Sequence, residues 1–256
     1  MGVMSSVELV GILNVTLDSF SDGGLYIDVG DALRHADELF RDGAALVDVG
    51  AESTRPNATS LTAEQEWARL AELWPRLIER YPSKLSLDTR HPETVRRAAQ
   101  YGPFIINDVT AFSNDEMITA AAELGLHCIV SHLPDAAHGN IQAAHKGKLI
   151  DDVLQVRDEL LTKRDEMIAR GIAKENIILD PGIGFGKTPE TNYELLKFAL
   201  SVPDSDVMIG YSRKRFLGDD RMELKPNITA GRIAADAGAR YLRVHDVAGH
   251  RQLLHI

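Results

Sequence analysis

Short apolar, β-branched runs alternate along nearly the whole chain with longer stretches of helical spacing. The runs are Val7 to Leu13, Leu46 to Val49, Lys84 to Leu87, Phe104 to Ile106, His127 to Val130, Asn176 to Leu179, Asp206 to Ile209 and Tyr241 to Val244. Hydrophobicity that is nearly continuous over a few residues is what a strand covered on both faces requires. Between the runs, spacing predicts helices over Asp31 to Asp42, Thr62 to Arg80, Pro92 to Tyr101, Asp115 to Leu124, Leu149 to Arg170, Pro189 to Ala199 and Thr229 to Ala237, with a short one from Gly249. Thr62 followed by Gln65 is a capping-box start, and Pro92 suits a first helical turn, where no N–H is needed.

Eight such strand–helix units, with no low-complexity linker between them, predict an α/β fold closed as a TIM (β/α)8 barrel, one domain over residues 1–256. An open doubly wound sheet is disfavoured because its glycine fingerprint is missing after the first strand.

Composition narrows the partners. With 256 residues and 44% hydrophobic content the chain can bury a full core. Asp and Glu number 38 against 28 Lys and Arg, a net charge of -10, which disfavours nucleic acid or an anionic membrane as partner while leaving room for an anionic small substrate in a locally positive pocket. The single cysteine, Cys128, lies in an apolar run and is expected in the core. The chain shows neither a membrane-length apolar run nor a secretory pattern, so a soluble cytoplasmic protein is expected.

A barrel gathers the carboxyl ends of its strands on one face, and here those ends are polar. They carry Asn14, Glu52 to Arg55, Asp88, Asn107 with Asp108, His132, Asp180, Ser212-Arg213-Lys214 and Arg243-Val244-His245-Asp246. Asp88, Asn107 and Asp180 could cap the helices that follow, or could face a ligand. Together they suit a flat, nitrogen-rich ring such as a 2-aminopyrimidinone edge. Lys214 is either a solvated surface lysine or a donor to a ring oxygen or nitrogen. Arg243 and His245 alternate with Leu242 and Val244 and so share a side, and a buried Arg243 needs an anion, either a substrate or Asp246.

The glycine-rich stretch Asp180 to Thr188 is close to a phosphate-binding P-loop. Pro181 occupies a required glycine position, however, and only three residues separate Gly182 from Gly186 where four are needed. The loop Thr16 to Ile27, with Asp18, Asp22, Gly23 and Gly24, is a mobile lid or a plain turn. Asn14 supplies one neutral oxygen, enough for Mg²⁺ only if the substrate brings phosphates and water completes the octahedron. Zinc motifs are missing, and the charged alternation Arg157 to Arg170 is expected to be solvated helix surface.

The ordered blocks Gly11 to Thr16 with Asp18 to Gly24, Asp48 to Pro56, Ser86 to Thr89, Ile106 to Val109, Asp180 to Thr188, Ser212 to Lys214 and Arg243 to Val247 resemble dihydropteroate synthase from end to end. That family is a usually dimeric barrel joining 7,8-dihydropterin-6-ylmethyl diphosphate to 4-aminobenzoate with release of diphosphate. The resemblance implies that Asp180 and Asn107 bind the aminopyrimidinone edge, Lys214 its oxygen and ring nitrogen side, and that Arg243 covers the ring face. It implies that Asn14 ligates Mg²⁺, that Thr54, Arg243 and His245 hold the diphosphate, and that Arg55 joins the substrate-binding set. Asp88 is suited to stabilise the cation left when diphosphate departs, and Arg215 to meet the aminobenzoate carboxylate. Departures from the family pattern are Leu17 for a proline, Asn57 for a glycine, Ser131 for an apolar pocket wall and Arg215 for a common serine. Two further readings are a pterin-binding paralogue without catalysis and a reduced-folate methyltransferase domain. Asn14, Thr54 and His245 argue against the methyltransferase, because a methyl donor carries no diphosphate.

Overall fold

In the computed structural model of the protein the described residues are 7–16, 28–54 and 57–254. In chain order the elements are β1 (Glu8–Asn14), α1 (Val29–Asp42), β2 (Leu46–Gly50), α2 (Ala63–Leu70), α3 (Leu73–Arg80), β3 (Leu85–Asp88), α4 (Pro92–Ala98), β4 (Ile105–Asp108), α5 (Asp115–Leu124), β5 (His127–Ser131), α6 (Ile141–Lys146), α7 (Val153–Ala169), β6 (Ile177–Asp180), α8 (Pro189–Glu194), β7 (Asp206–Ile209), α9 (Leu224–Asp236), β8 (Tyr241–Val244) and α10 (Val247–Leu254). All strand pairs are parallel and follow sequence order, and β8 closes on β1 with Tyr241 opposite Glu8 and Val244 opposite Gly11. The expected closed (β/α)8 barrel is the fold observed.

Local chemistry sets where the helices begin and end. The Thr62 side chain accepts from the Gln65 N–H while Gln65 reaches back to the Thr62 N–H, the reciprocal cap expected from the sequence. The helix predicted over Thr62 to Arg80 is instead two helices, because Pro75 has no N–H for the Ala71 carbonyl and its ring crowds that carbonyl. Pro226 has the opposite effect. In the first turn of α9 its missing N–H costs nothing, so the helix starts at Leu224, before the expected Thr229. The start of α7 is later than expected, since Asp152 caps it and Ile150 instead pairs with the loop after β6 through Ile150 N–H to Gly186 O at 2.9 Å and Thr188 N–H to Ile150 O at 3.0 Å. Helix α6, capped by Asn140, was not expected from the spacing.

The larger core lies between the strands and the helices and includes Leu70, Leu77, Leu87, Cys128, Leu179 and Leu242. A second cluster, Val10, Leu46, Ile105, Ile129, Ile178, Met208 and Tyr241, fills the barrel lumen. Because strand side chains alternate, the residues two positions further along these strands face the same lumen, one layer nearer its mouth. That layer reads Ile12, Asp48, Asn107, Ser131, Asp180, Gly210 and Arg243. A change from oily to polar within one residue pair places the charged groups at the carboxyl ends of the strands, over a dry floor.

Candidate active site

The buried charge at the centre of the mouth is Asp48, 1% exposed on β2. Its Oδ1 accepts from the Ser86 hydroxyl on β3, and its Oδ2 accepts both from Asn107 Nδ2 on β4 at 3.0 Å and from Arg243 Nε on β8 at 2.7 Å. The guanidinium also reaches Asp88 Oδ2 at 3.1 Å. The anion that the sequence demanded for Arg243 is therefore neither Asp246 nor only a substrate. Asp246 accepts the Gly249 N–H at 2.8 Å and holds the first turn of α10. Asp48 was legible only as part of a motif block, and its signal was a carboxylate at an inward position of an apolar strand.

Asp88 ends β3 facing Arg243 and does not cap α4, whose N-cap residue is His91 without a side-chain hydrogen bond. Burial and the neighbouring Asp48 outweigh Arg243 and push the Asp88 carboxyl up to about 8. Asn107 likewise serves no cap. With Nδ2 given to Asp48, its Oδ1 lies on the side of β5, 3.5 Å from the Ser131 hydroxyl. Ser131 is 3% exposed and pairs in register with Asp180, so the serine that departs from the family pattern sits between the two ring-binding candidates.

Asp180 begins the turn after β6. One oxygen accepts the Gly182 N–H at 2.7 Å, and burial raises its pKa against the pull of Lys214. Gly182 has φ 61, and a Cβ there would stand 2.0 Å from the His132 carbonyl oxygen, so no other residue fits. Lys187 completes this turn from within. It is 5% exposed and donates to the carbonyls of Gly182 and Phe185, each at 2.9 Å. Its ammonium thus serves the loop's own backbone and not a nucleotide. Burial lowers its pKa to about 7.

Lys214 reaches over from the loop after β7, donating to Ile183 O at 2.6 Å with its Nζ 5.2 Å from the Phe185 ring centroid. Burial, partly offset by Asp180, lowers it to about 8. A Cβ built on Gly210 would lie 3.5 Å from Asp180 Oδ2 and 3.7 Å from Lys214 Nζ, so glycine keeps open the space that both groups border. Ser212, buried beside them, has its Oγ 3.0 Å from His245 Nδ1 and accepts the His245 N–H at 3.3 Å, which places His245 at the rim next to Arg243. Arg215 is exposed at the start of a short 3-10 turn, and Arg213 is exposed with φ 60.

Asn14 ends β1 half-buried and opposite Gly50, and Thr54 lies in the loop after β2, where its carbonyl is 3.2 Å from His145 Nε2 on α6. In the same loop Asn57 has φ 66, the left-handed conformation that lets it replace glycine, and its N–H donates to Gln142. Arg55, Leu17 and the Asp18 to Gly24 part of the first loop lie outside the described residues.

Like Asp246, His132 and Asp108 face away from the expected mouth. His132 follows an inward Ser131 and so turns outward, its Nε2 2.9 Å from Glu159 on α7. Burial and Lys187 lower its pKa to about 4. Glu159 is accordingly an exception to the solvated surface of α7, whose pairs Arg157–Asp158 and Arg164–Asp165 do lie on the outside. Asp108 also points away from the lumen and accepts from the Thr110 N–H and hydroxyl, both at 2.7 Å.

Among the described residues, Glu52, Glu66 and His91 form a cluster with metal-ligand spacing, behind the mouth. Arg90 donates to both Glu52 oxygens at 3.2 Å and Thr89 donates to Glu66 Oε2, while the buried Glu66 Oε1 has no hydrogen-bond partner among the described residues.

A closed parallel barrel whose mouth carries an acid, an amide and a lysine is the frame of a pterin-binding class, and residues 10–245 match the family described as pterin binding enzyme. The chain is 37% identical over 255 residues to dihydropteroate synthase of Escherichia coli (strain K12), covering 95% of this chain and 88% of that one. It superposes with a TM-score of 0.87 and 35% identity on Xanthomonas albilineans dihydropteroate synthase with 4-aminobenzoic acid, covering 98% and 92% of the two chains. For the same enzyme in complex with 7,8-dihydropteroate the TM-score is 0.83 at 32% identity, covering 99% and 93%. The chain belongs to the dihydropteroate synthase family.

Proposed function

We propose that the mouth of this barrel joins 7,8-dihydropterin-6-ylmethyl diphosphate to the amine of 4-aminobenzoate, making dihydropteroate and releasing diphosphate. The observation that carries the assignment of roles is the arc of Asn107, Ser131, Asp180 and Lys214 around the space that Gly210 leaves open. Its acceptors, Asn107 Oδ1 and the Asp180 carboxylate, complement the amino and ring N–H donors of a 2-amino-4-oxo ring, and Lys214 supplies a cation for the oxygen and ring nitrogen side.

Arg243 is held edge-on by Asp48 and Asp88, and its Nη1 gives a bond to neither carboxylate, so that donor and the guanidinium face remain for the ring and diphosphate. His245, Thr54 and Arg55 are the further anion partners, and Arg215 is the partner for the aminobenzoate carboxylate. The bond between the pterin methylene and the diphosphate oxygen breaks with its electron pair on the diphosphate, where Arg243 and His245 meet the growing charge. The electron-rich ring delocalises the cation. Asp88 holds a proton below about pH 8 in the free protein, and its ionised form is the one that stabilises the cation. The arylamine attacks neutral and sheds its proton afterwards, so no strong base is required.

The donor set at the rim fits Mg²⁺ as an ion shared with substrate. Asn14 would contribute one neutral oxygen to it, and the diphosphate of the substrate with water would have to supply the rest. When bound it supplies charge neutralisation for the leaving group. A homodimer in the cytoplasm, with no nucleic acid or membrane partner, is the accompanying proposal. Supporting it are the exposed apolar side chains of Tyr193 and Leu200, the charge of -10, and described helices none of which is long and apolar enough to cross a membrane.

The test is incubation of the pure protein with the pterin diphosphate, 4-aminobenzoate and Mg²⁺. Dihydropteroate and diphosphate should appear in equal amounts. Pterin binding without product would mark a non-catalytic paralogue, and methyl transfer from a reduced folate would mark the methyltransferase class.

A further inference from the structure

Asp48 borders the pocket without belonging to the ring-binding arc, yet it touches two of the groups that face the ring. The Asp48 oxygen that faces Asn107 already accepts from Arg243 Nε, so the side of the Asn107 amide turned toward it has to be its NH2. The Asn107–Asp48 contact of 3.0 Å therefore leaves Oδ1, and not Nδ2, pointing along the lumen toward Ser131 and Asp180. Ser86 and Arg243 lock the carboxylate itself, at 1% exposure, so the amide cannot turn by moving its partner. The layer of the lumen from Asn107 to Asp180 then consists of acceptors flanking one serine hydroxyl, which can take either role.

We propose that Asp48 is a specificity-determining positioning residue: by holding the Asn107 amide in one orientation it makes the pocket demand a hydrogen-bond donor at the ring's 2-position and reject a 2-oxo ring. The inference rests on the reading that the ring's amino edge meets Asn107 and Asp180. A 2-oxo pteridine would set its oxygen against Asn107 Oδ1 and the Asp180 carboxylate, leaving buried acceptors unpaired. A site built to pair with a polar group rejects the analogue lacking it far more strongly than an apolar pocket could. If the amide could turn, Asn107 would offer its NH2 to the 2-oxo group and its share of that rejection would vanish, leaving the share that Asp180 contributes.

The test is calorimetric titration of the protein with 6-hydroxymethylpterin and with the matching 2-oxo compound, 6-hydroxymethyllumazine. Wild type should bind the pterin at least about tenfold more tightly, the equivalent of one unmet hydrogen bond. Asp48→Asn keeps an oxygen for Arg243 and Asn107 while its NH2 turns to the Ser86 hydroxyl, so it should retain the preference even where overall affinity falls. Asp48→Ser cannot reach Asn107 and should narrow the ratio of the two affinities by at least about threefold, again on hydrogen-bond magnitudes, with the remainder of the preference supplied by Asp180. A folded Asp48→Ser variant with the wild-type ratio overturns the proposal, as does a wild type that binds both rings equally. Failure of wild type to bind either ring would instead remove the underlying reading of the pocket. Should Asp48→Ser not fold, the wild-type side-chain amide resonances decide: one Asn107 amide proton, identified by its loss in Asn107→Ser, should be protected from solvent exchange before ligand is added. Fast exchange of both protons overturns the proposal.

Discussion

The guanidinium of Arg243 donates to Asp88 across the mouth of the barrel at 3.1 Å while its Nε is committed to Asp48 at 2.7 Å. One cation thus faces two carboxylates. The more buried Asp48 holds three donors, and Asp88 is the carboxylate left with its proton, at a pKa of about 8. Lys214, lowered to about 8, loses its own proton over the same range.

A pH dependence with two limbs follows. Cation stabilisation needs Asp88 ionised, so kcat/KM for the pterin diphosphate should rise with pH up to about 8, the Asp88 value. Ring binding needs Lys214 charged, so it should fall above about 8. Each limb should approach a tenfold change per pH unit, and the two apparent values belong to the coupled group as a whole. Asp88→Asn should be slow and should lack the acid limb. A wild-type profile that is flat between pH 6 and 8 would remove Asp88 from the ionising step.

Gly210→Ala tests whether the ring lies against the floor between Asp180 and Lys214. The added methyl sits at ordinary contact distance from both, 3.5 Å and 3.7 Å, so the fold should tolerate it. It would occupy space the ring needs, and pterin affinity should fall by roughly tenfold or more, the usual scale of a small overpacking cost. Unchanged affinity with an unchanged melting temperature would put the ring elsewhere.

Much of this site was legible because strands buried on both faces announce themselves as apolar runs, and in a barrel their ends converge. The eight strand positions, Asp88, Asn107, Asp180, Lys214 and Arg243 follow from that alone. What sequence hid was direction and partnership. Ser131 and His132 are adjacent polar residues at one strand end, and only the two-residue alternation separates the one facing the lumen from the one facing Glu159. Asp48 was concealed inside Leu46 to Gly50, where a carboxylate two positions along from a lumen leucine is readable only once that leucine is known to face inward. The stretch Asp180 to Thr188 came close to a P-loop because a lysine that serves its own loop's carbonyls, as Lys187 does, also needs a glycine-rich turn around it.

Asp108 allows a stability prediction separate from catalysis. Its carboxyl is fully buried, one oxygen bonded to Thr110 and the other without a partner, and its pKa rises from 3.8 to about 6 mainly through burial. In the unfolded chain it ionises first, so folding stability is lost as pH climbs from about 4 to about 6 and stays lost above that. Asp108→Asn abolishes this loss. Relative to wild type the variant should gain stability between pH 4 and pH 7, by up to about 3 kcal/mol for a shift of this size. Urea unfolding at the two pH values measures it, and a difference independent of pH would mean that Asp108 is charged in the folded protein throughout.

Lys187→Met removes the ammonium that gathers the carbonyls of Gly182 and Phe185 under the Asp180 turn. Two donors to buried carbonyls are lost and methionine fills the volume, so the folded state should lose about 2 to 4 kcal/mol. The sign of its pH dependence is set by the lowered pKa. The unfolded chain keeps this proton up to about 10.5 while the folded protein gives it up near 7, so wild-type stability from this group grows as pH rises between those values. The penalty for Lys187→Met should therefore be larger at pH 9 than at pH 6. Because Asp180 takes its position from the same turn, pterin affinity should fall together with stability, and adding saturating pterin should raise the melting temperature of the variant less than that of wild type. A penalty of equal size at pH 6 and pH 9 would show that Lys187 is held as an ion by Asp180 and Glu159, and that its charge, more than its hydrogen bonds, shapes the turn.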